Sequence, residues 1–146
     1  MTNSRLKGAT GEREFAAAVF DTLSVRLLRQ LDQCRGGGFD LAPEPDNTTS
    51  TAEWMRQHAI EVKRYRTVTA ASVAEWWRQA VEQADNARLA PLLAYRADRQ
   101  PWLVVIALDA LAADVEVTDT RLTATLTLEG LAALARTASI PMDTTP

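Results

Sequence analysis

Ile60-Glu61-Val62-Lys63 decides how this chain is read, together with Gly38-Phe39-Asp40 about twenty residues upstream. The run 57–65 is apolar and β-forming, and predicts a strand. Residues i and i+2 of a strand project from one face. Glu61 and Lys63 therefore stand side by side. Asp40 closes a strand entry that follows three glycines and supplies a second carboxylate. Two carboxylates form a hard-oxygen site suited to Mg²⁺ or Mn²⁺. A neighbouring lysine can position a water and offset the charge of a phosphate. Together these groups suffice for metal-assisted hydrolysis of a phosphodiester.

Composition bounds the fold. The chain has 146 residues, 47% of them hydrophobic and 24% charged, as expected of one globular domain with a real core. No apolar run approaches the roughly 20 residues that span a bilayer. The charged opening segment predicts no signal peptide, and the single cysteine, Cys34, predicts a reducing cytoplasm. One histidine and one cysteine are too few for a zinc site. A net charge of −3 is unusual for a protein that handles nucleic acid. Its distribution is uneven: residues 1–66 hold 10 Lys and Arg against 9 Asp and Glu, and the remainder holds 6 against 10. That asymmetry permits a DNA-facing side without establishing one.

Working outward, residues 7–23 predict a helix, with Phe15, Val19 and Leu23 at i+4 spacing and Thr10 as a cap. A strand is expected over 25–31, a glycine turn over 33–38 and a short strand over 39–42. The Pro-, Asp-, Asn- and Thr-rich stretch 43–51 reads as an exposed loop. Residues 70–89 form the clearest helix, with Val73, Trp76, Trp77, Ala80, Val81 and Ala84 on one stripe. Strands follow at 91–95, 102–108 and 122–128, then a helix at 129–136 and a loose tail at 140–146. Parallel pairing across the 70–89 crossover would set the third strand beside 91–95. The expected class is α/β, a central mixed sheet flanked by helices.

The pattern resembles the PD-(D/E)xK nuclease superfamily, whose restriction-endonuclease-like core runs αβββαβ. Asp40 matches its first acid, Glu61 its second and Lys63 its lysine. Phe39 replaces the proline of the family name. The segment Lys7-Gly8-Ala9-Thr10-Gly11-Glu12 is similar to the opening helix of the archaeal-type Holliday junction resolvases, and compact phage-type endonucleases are also similar. In that branch a glutamate five residues after the lysine joins the metal site, which implies Glu12, with Glu14 as the alternative. A glutamine on the helix after the lysine strand recurs in related nucleases and matches Gln79. The resemblance spans roughly residues 7–106. It implies a Mg²⁺- or Mn²⁺-dependent DNA endonuclease working as a homodimer, on DNA that includes branched junctions. The implied metal ligands are Glu12, Asp40, Glu61 and the Val62 carbonyl. Lys63 and Gln79 complete the catalytic set, and Lys7, Arg35, Arg64 and Arg66 are candidate DNA contacts.

Each residue also has a plainer reading. Asp40 alone is a turn aspartate, Glu61 and Lys63 an exposed ion pair, and Glu12 a first-turn glutamate favoured by the helix dipole. Gln79 alone is a surface residue. Trp76 and Trp77 read as core and partner packing, with Trp102 as further apolar material for an interface. Tyr65 can stack or hydrogen-bond at the rim, and His58 is non-catalytic. The rival functions are a nuclease for linear, flap or mismatched DNA, and a non-catalytic DNA-binding or assembly module on the same scaffold.

Overall fold

The computed structural model describes the backbone of residues 4–30, 38–111 and 119–138, with side chains from Gly8 onward. The side chain of Lys7, Cys34, Arg35, most of the glycine turn and the tail 140–146 lie outside the described residues. Among those described, α1 (Ser4–Leu23) leads into β1 (Leu27–Arg29) and β2 (Leu41–Pro43). A short α2 (Ser50–Arg56) precedes β3 (His58–Tyr65), followed by α3 (Ala70–Ala87), β4 (Ala90–Ala97) and β5 (Leu103–Ala107). A 3₁₀ turn (Leu108–Leu111), β6 (Thr123–Thr127) and α4 (Leu128–Ala138) complete the chain. This is the expected αβββαβ order with α2 inserted and with β5, β6 and α4 appended.

The six strands form one mixed sheet in sequence order. Only β3 and β4 are parallel, joined by the α3 crossover, with Glu61 opposite Leu93 and Lys63 opposite Tyr95. The sheet is covered on both faces. Ile60 and Val62 look towards α1 and α4, in a core with Phe15, Val19, Leu92 and Leu131. Leu93 and Val105 look the other way, onto Trp76, Trp77 and Ala80 of α3. Glu61, one residue out of phase with Ile60 and Val62, shares the α3 face.

Three expectations need correction. Thr10 does not cap the opening helix and Glu12 is not in its first turn, because α1 already begins at Ser4. The stretch 43–51 is not simply a loop, because α2 begins within it. Thr49 caps α2, its Oγ1 accepting the N–H of Ala52 at 3.3 Å, while Asn47 Oδ1 accepts the N–H of Thr49 at 3.1 Å. Ala52 and Met55 then enter the core. Trp76 and Trp77 take the core side of their core-and-partner reading, and Trp102, offered as material for an interface, is likewise buried within this one chain. Trp76 and Trp77 belong to α3 and pack onto Leu93 and Val105 of the sheet, and Trp102 packs against Phe15 at a centroid distance of 5.1 Å. His58 is structural: buried, with Nδ1 2.8 Å from the Trp54 carbonyl oxygen, it ties β3 to α2. Burial lowers its pKa.

Candidate active site

The site forms where β2 stops short and β3 continues. β2 pairs with β3 only through Leu41 and Ile60. One residue earlier the Asp40 N–H still donates to the Ile60 carbonyl at 2.8 Å, and the Asp40 carbonyl accepts the N–H of Gln30 at 2.9 Å. The next ladder position on β3 is taken by a side chain. Asp40 Oδ2 accepts the Val62 N–H at 2.8 Å. In a strand the N–H and C=O of one residue point to the same neighbour, so the Val62 carbonyl faces the same opening.

Asp40, Glu61, Val62 and Lys63 line one cleft of about 590 Å³ with Gly8 and Glu12 from α1 and the segment 64–67. Glu61 is 5% exposed. Its Oε1 lies 3.0 Å from Lys63 Nζ. Its Oε2 is buried and has no hydrogen-bond partner among the described residues. A charge buried on a covered sheet is costly unless compensated. One oxygen is compensated by Lys63 and the other is left available. Asp40 feels the same environment. Burial first, then the Glu61 and Glu12 charges, push its pKa up to about 7, against the opposing pull of the Val62 N–H and Lys63. Carboxylates crowded together at the floor of a cleft, one of them with a buried, unbonded oxygen, suit a divalent cation.

Glu12 is in the cleft but otherwise engaged. Its carboxylate pairs with the guanidinium of Arg29 on β1. Among the described residues no three acidic, His or Cys side chains stand close enough together to hold a metal as they are placed. The groups that could hold a cation without breaking an ion pair to arginine are therefore Asp40, Glu61 and the Val62 carbonyl, whereas Glu12 is committed to Arg29. Gly11 explains how α1 comes so near. A Cβ at Gly11 would lie 3.0 Å from Arg64 Cβ, so the missing side chain lets the helix press onto β3. Neither Gly11 nor Arg29 stood out in the sequence. Gly11 sits inside the Lys7–Glu12 motif and was the available signal, whereas Arg29 had none.

The remaining candidates separate. Glu14 points away from the acids, its Oε2 2.7 Å from Arg64 Nε and 3.8 Å from Arg96 Nη2. Arg64 is also 3.3 Å from Asp98 Oδ1, so this DNA-contact candidate is already paired. Arg66 is exposed, lines the cleft and has no ion pair among the described residues. Gln79 is not among the cleft residues, and its amide donates to Glu75 at 3.4 Å on α3. A second, apolar groove of about 450 Å³ between α3 and β5–β6 contains none of the candidate residues.

No curated protein matches the chain. Among solved structures it is similar to a Holliday junction resolvase, Hjc, of the archaeal hyperthermophile Archaeoglobus fulgidus, at 18% identity and a TM-score of 0.43 over 88% of each chain. A family profile described as "Phage putative PDDEXK endonuclease" matches residues 3–131, nearly the whole described fold including every cleft residue named above. The chain belongs to this PDDEXK endonuclease family.

Proposed function

We propose that the protein is a DNA endonuclease that hydrolyses phosphodiester bonds with Mg²⁺ or Mn²⁺ at the Asp40–Glu61–Lys63 cleft. The observation that carries this reading is the buried Glu61 carboxylate, with one oxygen fixed by Lys63 and the other without a hydrogen-bond partner beside Asp40. Asp40, Glu61 and the Val62 carbonyl would hold the ion. When bound, such an ion polarises the phosphate and makes a coordinated water more acidic. Lys63 is kept at the cleft by Glu61 and is placed to orient the attacking water and to meet the growing charge on the phosphate. Asp40 keeps the edge of β3 open by occupying the Val62 N–H, so no further strand pairs there. Arg66 is free to take a neighbouring phosphate, and Arg64 can do so only by leaving Glu14 and Asp98.

Branched DNA as substrate is supported by the Lys7-Gly8 to Glu12 helix, the feature that resembles the resolvases. A homodimer follows if both strands of a junction are to be cut. The test is cleavage of four-way, flap, single-stranded and linear duplex DNA with Mg²⁺ or Mn²⁺. Cleavage that stops in excess chelator is expected. Tight DNA binding with no cleavage of any substrate would instead favour the non-catalytic module.

A further inference from the structure

We propose that Tyr65 seats an unstacked nucleobase beside the scissile phosphate, so that the site selects DNA with unpaired or displaced nucleotides over continuous duplex. This rests on the nuclease reading above and narrows its substrate class. Glu61, Lys63 and Tyr65 alternate along β3 and share its α3 face. Lys63 and Tyr65 are thus separated by about 6.6 Å of strand, at about 3.3 Å per residue. That is comparable to the reach of one extended nucleotide. A phosphate at Lys63 puts the adjoining base over Tyr65.

The ring is built as a platform. Tyr65 stacks on Trp76 at a centroid distance of 4.9 Å and an interplanar angle of 18°. Trp76 in turn packs against Tyr95 at 6.3 Å. Trp76 is buried, whereas Tyr65 at the end of this ladder is 49% exposed. The large exposed apolar side chains among the described residues are Phe20, Leu28, Tyr65, Leu111 and Leu122, and only Tyr65 of these lines the cleft. The cleft also presents Lys63, Arg66 and Thr67, cations and a hydroxyl suited to a phosphodiester backbone, while the Asp98 carboxylate there is paired with Arg64 at 3.3 Å. An aromatic face between phosphate-seeking cations is the arrangement by which proteins hold single-stranded nucleic acid, and it tolerates any sequence because every base has a π face. A base within a continuous duplex is already stacked on both sides and has no face to offer.

The test uses full-length protein with Ca²⁺ and two 2-aminopurine duplexes, one with the probe in a two-nucleotide bulge and one with it paired. Quenching and preferential binding of the bulged probe are expected for the wild type and for Tyr65→Phe. In Tyr65→Ala the preference should fall about 5- to 150-fold, the range for losing one stacked base. Tyr65→Leu keeps Trp76 covered and should behave like Tyr65→Ala, which separates stacking from folding. An unchanged preference in both variants overturns the inference, as does a wild type that binds both probes equally. Cleavage ratios with Mg²⁺ separate this from the nuclease reading. Cleavage of bulged and continuous DNA at equal rates leaves the nuclease standing and removes the Tyr65 role. Selective binding without cleavage does the reverse.

Discussion

Asp40 replaces a backbone partner of Val62: its carboxylate, not a strand carbonyl, receives the Val62 N–H at 2.8 Å. The contact ends the β2–β3 ladder and holds an acid at the open edge of the strand that carries Glu61. One bond thus both terminates a sheet pairing and sets the spacing of two acids.

Asp40→Asn should stabilise the metal-free protein and abolish cleavage. The folded pKa of Asp40 is about 7, raised by burial and then by Glu61, against 3.8 as the ordinary value. As pH rises from about 4 to about 7, the unfolded chain gives up this proton first. The folded state then binds more protons, so stability falls with rising pH across that window. Asn still accepts the Val62 N–H but carries no charge. The melting temperature of Asp40→Asn should therefore exceed that of the wild type by a margin that grows up to about pH 7 and is flat above it. Equal melting temperatures at pH 8 in chelator would show that Asp40 is not strained by its surroundings.

Metal affinity should follow the same group with the opposite sign. A cation needs Asp40 ionised, so binding below pH 7 must displace a proton. The apparent Mg²⁺ affinity should rise about tenfold per pH unit up to about 7 and level off beyond, as release of one proton requires. Calorimetry in buffers of differing ionisation enthalpy would count that proton. A pH-independent affinity between 5 and 7 would rule Asp40 out as the titrating ligand.

Lys63→Ala should separate stability from chemistry. Its side chain is 21% exposed and faces a carboxylate that is 7% exposed. Removing the ammonium leaves Glu61 buried without it, at about 3 kcal/mol, the low end for a broken buried pair. Mg²⁺ should restore most of the lost melting temperature because it supplies the missing charge. Cleavage should stay down by about 10² or more even in saturating Mg²⁺, the scale for one lost electrostatic or proton-transfer group. Wild-type turnover in Lys63→Ala would refute its catalytic role.

Much of this site could be read along the chain because its chemistry is local. Glu61 and Lys63 are tied by strand alternation, and α1 and α3 by long apolar stripes. The parallel β3–β4 pair follows from the length of the crossover. What escaped depends on partners distant in sequence. The seven residues of α2 are too few for a helical period, and the turn formers Asn47 to Thr49 that cap it read as loop. Arg29 meets Glu12 across 17 positions and gives no sign of doing so. Gln79 matched by helix position, yet its contact is Glu75 on its own helix. Trp76 and Trp77 read as core or partner packing because a stripe shows that a face is buried, not what buries it.

Gly11→Ala asks whether the approach of α1 to β3 is itself required. Alanine is favoured over glycine in a helix interior by about 1 kcal/mol, so an unconstrained site would gain stability. Here the new Cβ would meet Arg64 Cβ at 3.0 Å, with the Arg64 backbone nitrogen at 3.9 Å. That neighbour is fixed to the strand and cannot swing away like a side-chain tip, so helix and strand must part. We expect net destabilisation of about 1 kcal/mol, an overpacking cost of about 2 kcal/mol less the helix gain of about 1 kcal/mol. Cleavage should fall as well, because Glu12 follows Gly11 and moves with it.

Glu12→Gln and Glu14→Gln, made beside Gly11→Ala, show which acid matters. Glu12 faces the cleft through Arg29, whereas Glu14 holds Arg64 and Arg96. If Glu12 exchanges Arg29 for the metal, Glu12→Gln should weaken metal binding and cleavage strongly, and Glu14→Gln should leave metal affinity unchanged. Both residues lie beyond the first turn of α1, which begins at Ser4, so neither change should act through the helix dipole by more than a few tenths of a kcal/mol. Equal metal affinities at matched stability would confine the site to Asp40, Glu61 and Lys63. The activity loss in Gly11→Ala would then come from displacement of β3 itself rather than from a misplaced Glu12.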